Sequence, residues 1–183
     1  MAKAVFLDRD GVINEDLGYF WRRRDFRFIE GIFELCRSAR ELGFHRIVVT
    51  NQAGIARGSY DEARFLDLTD WMKQQFSARS AALDAVYFCP YHPTAGTGRY
   101  RRASSWRKPA PGMLLQAARD FALDLPRSAV IGDAPSDIQA GRAAGVGLTI
   151  LHDPAGSHGD TESDATCRTL EQARQVLHDF AGG

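Results

Sequence analysis

Asp8 and Asp10 stand one residue apart at the end of an apolar run, in "AVFLDRDGVIN". A second acidic pair, Asp133 and Asp137 in "GDAPSD", follows another apolar run far along the chain. An ionised carboxylate left unpaired in a protein interior is costly, so a chain that places acids there must also supply positive charge. Two carboxylate clusters at the ends of buried strands make a site for a hard cation. Mg²⁺ takes one or two carboxylates and leaves its other positions to water and substrate oxygens. Two neighbouring acids also divide the work of phosphomonoester hydrolysis: one attacks phosphorus to form an aspartyl phosphate, and the other protonates the leaving alcohol and later activates water. A carboxylate and one phosphate charge ~4 Å apart repel by roughly 4 kcal/mol at an effective dielectric of 20, so cations must surround the phosphoryl group. Mg²⁺ and Lys108 would supply them.

The competing arrangements are structural. Asp8 and Asp10 are i and i+2, so strand geometry persisting past Asp8 sends both side chains to one side; the alternative is a turn, "DRDG", whose acids cap backbone amides. Lys108 precedes "PAPGMLLQ", a helix start, where the macrodipole disfavours a cation. A bound anion shared with the helix terminus would remove that conflict; a solvated surface lysine is the alternative. Thr50 and Asn51 can donate to phosphate oxygens or serve as ordinary strand-end and turn residues. Asp137 either supports the ligand site or caps a helix.

The elements that would position these residues alternate short apolar runs with helix-period segments, the pattern of a parallel sheet with helices on both faces. Strands are expected at "AVFLD" ending at Asp8, "RIVVT" at Thr50, "AVYFC" at Cys89, "SAVIGD" at Asp133 and "GLTIL" at Leu151. A first helix presents Ile32, Leu35, Cys36, Ala39 and Leu42 and stops at Gly43; a second, from Ser59 or Asp61, carries Phe65, Leu68, Met72 and Phe76. Others carry Leu114, Ala117, Ala118 and Phe121, then Ile138, Ala140 and Ala144. The last starts at Thr169, with Gln172 completing a capping box, and buries Leu170, Ala173, Leu177 and Phe180. Asp153 to Thr166 reads as a surface loop. In such a sheet the ligand site lies beyond the carboxyl ends of the strands, where Asp8, Thr50, Lys108 and Asp133 would converge.

Composition sets the bounds. The chain of 183 residues is 44% hydrophobic, enough for one core over residues 1–183. Lys plus Arg and Asp plus Glu both number 23, so no net field recruits nucleic acid. No run approaches the ~18 apolar residues of a membrane span, and no secretory apolar region develops at the N-terminus. The three cysteines, Cys36, Cys89 and Cys167, are scattered and odd in number, which fits a reducing compartment. A soluble, cytoplasmic monomer is expected.

"FLDRDGVIN", "VVTNQ", "RKP" and "IGDAPSD", in that order, resemble the four motifs of haloacid dehalogenase (HAD) superfamily phosphatases. "TNQAGIARG" and "RKPAPGML" are similar to the branch that holds the D-glycero-D-manno-heptose 1,7-bisphosphate and histidinol-phosphate phosphatases. The resemblance implies a three-layer Rossmann-like α/β fold without a large cap domain, whose specificity comes from short loops, here about Glu15 to Phe28, Gln52 to Ser59 and Cys89 to Arg107. It implies Asp8 as nucleophile, Asp10 as general acid and base, and Mg²⁺ held by the Asp8 carboxylate, the Asp10 carbonyl and Asp133. Thr50, Asn51 and Lys108 would hold the transferring phosphate, with Arg107 reaching the substrate.

The chain departs from that branch twice. A structural zinc with ligands spaced C-x-H and C-x-C is common before the R-K-P; here those positions read Cys89, Pro90, Tyr91 and Ser104, Ser105, Trp106, with His92 one place late. Two candidates cannot close a four-coordinate site, so no zinc is expected, and Tyr91 and Trp106 would hold the loop by packing. Ala134 replaces a basic residue. In compensation the loops carry Arg22, Arg23, Arg24, Arg57, Arg99, Arg101, Arg102 and Arg107, either solvated surface or, with Arg57 and Arg107 at the site, partners for a second phosphate. The expected activity is therefore loss of the C7 phosphate from a heptose bisphosphate. Histidinol phosphate or another small phosphomonoester is the alternative substrate, and a catalytically silent metal-binding module the alternative class.

Overall fold

The computed structural model describes residues 1–159 and 161–183. Six parallel strands form one sheet in the order β3-β2-β1-β4-β5-β6: β1 Lys3–Leu7, β2 Phe44–Asn51, β3 Ala85–Cys89, β4 Ala129–Gly132, β5 Leu148–His152 and β6 Ala165–Cys167. Register runs from Lys3↔Phe44 to Leu7↔Val48 on one side of β1 and from Val5↔Ala129 to Leu7↔Ile131 on the other. The helices are α1 Ile32–Glu41, α2 Ala53–Ala56, α3 Glu62–Ala78, α4 Gly112–Phe121, α5 Pro135–Ala144 and α6 Leu170–Gly182.

Side chains alternate across each strand, and the two faces have separate cores. Val5, Leu7, Val48, Ile131 and Ile150 pack with Leu35 of α1, Met72 of α3 and Leu177 of α6. Ala4, Phe6, Ile47, Val49 and Val130 pack with Met113 and Leu114 of α4 and Ala140 of α5. Burial on both faces makes these strands near-continuous apolar runs. The three-layer α/β fold is the expected one.

The differences lie at edges and ends. β1 ends at Leu7 and β4 at Gly132, one residue short of each acid, whereas β2 runs one residue beyond Thr50. β6 overlaps the end of the Asp153 to Thr166 stretch expected as loop and runs one residue past it: three residues with two polar neighbours carry too little pattern to read as a strand. Residue 160 of that stretch lies outside the described residues. α2, inside the Gln52 to Ser59 loop, is only four residues long. Asp61 rather than Ser59 caps α3, accepting the Arg64 amide at 2.9 Å. Thr169 caps α6 by accepting the Gln172 amide, but Gln172 returns its own bond to the Arg168 amide, so the box is displaced by one residue. Ala118, Phe121, Ala144 and Phe180 are half-buried rather than buried. No helix of the described residues is long and apolar enough to cross a membrane.

Candidate active site

The strand order reverses between β1 and β4, and a switch point of that kind opens a crevice at the carboxyl ends of the strands. Asp8 and Asp133 sit there as the residues after those strands. The Asp8 amide still donates to Ile131 of β4 at 3.0 Å, which carries strand pairing one step past β1. A cavity of about 360 Å³ is lined by Asp8, Asp10, Tyr19, Asn51, Gln52, Tyr60, Arg107 and Asp133. A wider cleft of about 1210 Å³ opens past Asp133 toward His152 and Arg168, but Asp8, Asp10 and Lys108 do not line it.

Gly11 makes this packing possible. Its φ of +84° suits glycine, and a Cβ there would fall 1.9 Å from Oδ2 of Asp133. The loop after β1 can therefore lie against the loop after β4.

Lys108 is the compensating charge. Its side chain is 2% exposed, and Nζ lies 2.8 Å from Oδ1 of Asp8 and 2.5 Å from Oδ1 of Asp137, while donating to the Val49 carbonyl at 2.8 Å. Burial opposes its charge, but the Asp137 and Asp8 carboxylates outweigh burial and raise its pKa. It is thus neither a solvated surface lysine nor dependent on an anion at the α4 terminus, because two carboxylates already neutralise it. Asp137 fills both of its expected roles. Oδ2 accepts the Ala134 amide at the start of α5 at 3.1 Å, and Oδ1 faces Lys108.

Asp8, Asp133 and Asp137 each bring a carboxylate oxygen within 4.8 Å of the others. Burial pushes Asp8 up to about 7, with Lys108 opposing and Asp137 and Asp10 adding to the rise. Burial, then Asp8 and Asp137, push Asp133 up to about 8. Three hard oxygen donors facing one ammonium, of which Asp8 and Asp133 resist losing their protons, form a set short of positive charge and suited to a cation such as Mg²⁺. The Asp10 carboxylate is not in this cluster; the expectation for Asp10 as a ligand concerned its carbonyl.

Metal-free protein should therefore lose stability as pH rises. In an unfolded chain aspartate titrates near ~3.9, so the folded state binds more protons from there up to the raised values. The stabilisation from protonated Asp8 and Asp133 is complete below ~4 and is lost as pH passes 7 and 8. Mg²⁺ should raise the melting temperature more at pH 8 than at pH 6 and should release protons on binding. A larger shift at pH 6 would contradict this account.

The Asp8 carboxylate is pinned through Oδ1, which accepts the Arg9 amide at 2.7 Å and faces Lys108. Asp10 lines the same cavity, with Oδ1 held by Arg9 and Asn14 and Oδ2 by Gln52. Thr50 is buried, its hydroxyl accepting from Gln52 Nε2 at 2.8 Å. Asn51 spends its amide on the backbone of Lys108, donating at 3.0 Å and accepting at 3.1 Å, so it joins the end of β2 to the lysine. Arg107 reaches the cavity and also donates to the Tyr91 carbonyl at 3.3 Å.

Arg57 does not line the cavity; it is exposed, its guanidinium 5.6 Å from the ring of Tyr19, which does. The remaining arginines divide. Arg22 lies 5.0 Å from the Trp21 ring, Arg23 pairs with Asp67, Arg24 faces Asp25 at 3.9 Å and Arg99 donates to the Tyr100 hydroxyl. Arg102 stacks on Tyr91 at 4.0 Å. In the Cys89 to Arg107 loop the Cys89 thiol is 3.8 Å from the Tyr91 carbonyl, and Trp106 meets Tyr87 edge-on. Nδ1 of His92 accepts the amides of Thr94 and Ala95.

Sequence reasoning missed Arg9, Gln52 and Tyr60. Arg9 is 2% exposed, lies 5.3 Å and 5.9 Å from the rings of Phe20 and Phe65, and forms an ion pair with Asp10 at 2.6 Å. An arginine between two acids reads as solvated, and nothing local shows that aromatic rings will enclose it. Gln52 had a signal, its place in "TNQ" beside two proposed ligands.

Residues 105–181 match the family model described as HAD-hydrolase-like. The chain is 57% identical over 149 residues, 81% of its length and 79% of the relative, to D-glycero-alpha-D-manno-heptose-1,7-bisphosphate 7-phosphatase of Burkholderia mallei. A HAD-like phosphatase from Mesorhizobium loti superposes with a TM-score of 0.88 at 32% identity, over 99% of this chain and 87% of that one. D,D-heptose 1,7-bisphosphate phosphatase from B. bronchiseptica, complexed with magnesium and phosphate, gives 0.80 at 28% identity over 97% and 98%. With carboxylates and a buried lysine at the switch point and relatives of this likeness along most of its length, the chain belongs to the HAD-like phosphatases.

Proposed function

We propose that this chain, acting as a single domain over residues 1–183, removes the C7 phosphate from a heptose 1,7-bisphosphate. Asp8 and Asp10 on one cavity of about 360 Å³, with the buried Lys108 ammonium 2.8 Å from Asp8, carry the chemistry, and the name of the relative at 57% identity supports the substrate.

Asp8, Asp133 and the Asp10 carbonyl, with Asp137 behind them, would hold Mg²⁺, which when bound offsets the repulsion between an anionic nucleophile and a phosphate. Asp8 attacks phosphorus, its rotamer held through Oδ1. Asp10 gives a proton to the leaving sugar oxygen and afterwards takes one from the attacking water. Lys108, joined to β2 through Asn51, keeps a fixed positive charge beside Asp8. Thr50 and the second N–H of Asn51 donate to phosphoryl oxygens. Arg107 at the cavity and Arg57 beyond Tyr19 pair with the distant phosphate, which a monophosphate would not offer.

The loop from Cys89 to Arg107 is held without zinc, by Trp106 against Tyr87 and Arg102 on Tyr91. After treatment with a chelator, Mg²⁺ alone should then restore full activity. The deciding assay offers both anomers of heptose 1,7-bisphosphate beside histidinol phosphate. Release of the 7-phosphate at a kcat/KM at least ~100-fold above that for histidinol phosphate is expected, since each bidentate arginine–phosphate contact is worth a charge-assisted pair. Preference for the monophosphate overturns the substrate.

A further inference from the structure

We propose that Gln52 is a positioning residue for Asp10: held in one orientation by the Tyr60 hydroxyl, its amide leaves Oδ2 of Asp10 as the oxygen that gives and takes the proton. This rests on the reading of Asp10 as general acid and base.

The two oxygens of Asp10 are unequal. Oδ1 accepts from Arg9 Nε at 3.0 Å, from Arg9 Nη2 at 2.6 Å and from Asn14 Nδ2 at 2.9 Å. Oδ2 accepts from Gln52 Nε2 at 3.1 Å. A carboxylate offers about four lone-pair sites, so Oδ1 is saturated and Oδ2 keeps room for a proton.

Gln52 is 1% exposed, and its amide is fully engaged. The second hydrogen of Nε2 goes to Thr50 at 2.8 Å, and Oε1 accepts the Tyr60 hydroxyl at 2.5 Å. Turning the amide over would set its oxygen against the Asp10 carboxylate. Tyr60 is itself fixed: it packs with Ile55 and Phe65 and lies so close to Gly54 that a Cβ there would fall 2.5 Å from its ring. Burial pushes the phenol up to about 12, so it remains a donor.

In the first half-reaction an oxygen of Asp8 bonds to phosphorus as the bond from phosphorus to the sugar oxygen breaks. The electron pair of the broken bond goes to the sugar oxygen, which takes the proton from Oδ2, and the O–H electron pair stays on Asp10. The Gln52 N–H stabilises the charge appearing there, a preorganised donor aimed where charge develops. In the second half a water oxygen bonds to phosphorus, its proton returns to Oδ2, and the Asp8–phosphorus bond breaks. Gln52 acts through Asp10 in both.

The test compares two leaving groups in the first turnover, before water enters. A sugar alkoxide needs a proton to leave; p-nitrophenolate does not. Tyr60→Phe should lower the rate on the sugar ester ~10-fold relative to that on p-nitrophenyl phosphate, with KM within about twofold. Asp10→Asn should move the same ratio by ~10²-fold or more, the usual size of a general-acid contribution. Gly54→Ala, which drives a methyl into the Tyr60 ring without removing a polar atom, should reproduce the Tyr60→Phe selectivity, and thermal melts establish that each variant is folded. If both Tyr60→Phe and Gly54→Ala slow the two esters equally, or slow neither, while Asp10→Asn discriminates, the positioning role of Gln52 is wrong. If Asp10→Asn does not discriminate, the general-acid reading fails and takes this inference with it.

Discussion

Asp8→Asn should reduce turnover of a sugar bisphosphate on the order of 10⁴-fold or more, the scale on which loss of a covalent nucleophile is felt, without unfolding the protein. The reason lies in the charges. Asp8 shares Lys108 with Asp137, and both contacts to the ammonium are short, 2.8 Å and 2.5 Å. An asparagine keeps the shape and can still accept the Arg9 amide through its oxygen, while Lys108 keeps Asp137 as its counter-ion. Removing one buried carboxylate also removes part of the repulsion that pushes Asp133 up. The metal-free variant should therefore melt no lower than the parent at pH 8, even though it is inactive. A steady-state assay with Mg²⁺ and a thermal melt without it check the two halves. A variant that loses activity only because it no longer folds would show the loss in both.

Lys108→Met should do the reverse, damaging the fold as well as the chemistry. The ammonium is buried between two carboxylates, and removing one partner of a buried ion pair leaves uncompensated charge, at a cost of about 3–5 kcal/mol. Methionine fills much of the lysine stem, so the deficit is electrostatic rather than a cavity. Its pH dependence has a definite sign. Lys108 lowers the pKa of Asp8 in the parent, so without it Asp8 holds its proton to higher pH. The variant escapes much of the penalty at pH 5.5 by protonating and bears it at pH 8. Urea denaturation at the two pH values should show a larger stability loss at the higher one. Saturating Mg²⁺ should recover part of that stability but not turnover, which should fall ~10³-fold because the fixed charge beside the transferring phosphoryl group is gone. A loss of stability equal at both pH values would mean that Lys108 matters for packing alone.

Local patterns made most of the framework readable. Five of the six strands announced themselves as apolar runs because both faces of a parallel sheet are covered, and α3 showed Phe65, Leu68, Met72 and Phe76 at helical spacing, all now buried. β6 did not, since three residues at a sheet edge carry almost no pattern of their own. The ends of strands were readable to within one residue, close enough to place Asp8, Thr50 and Asp133 on one rim. The site was legible in the same way, as residues adjacent to strand ends.

By itself the sequence determined which acids follow which strands, that one lysine precedes a helix, and that zinc spacing is absent from the third loop. These are statements about neighbours along the chain, where period and residue type suffice. Only the tertiary structure decided what Lys108 touches, that Asp137 both caps α5 and faces the ammonium, that Arg57 stays outside the cavity, and that Arg9, Gln52 and Tyr60 surround Asp10. Those outcomes depend on residues far apart along the chain: Asn51 and the Lys108 backbone it binds are 57 positions apart, and Asp8 and Lys108 are farther still. Hydrogen bonds and ion pairs of a few ångströms are settled by the crossing of loops at a switch point, and no local propensity encodes that crossing.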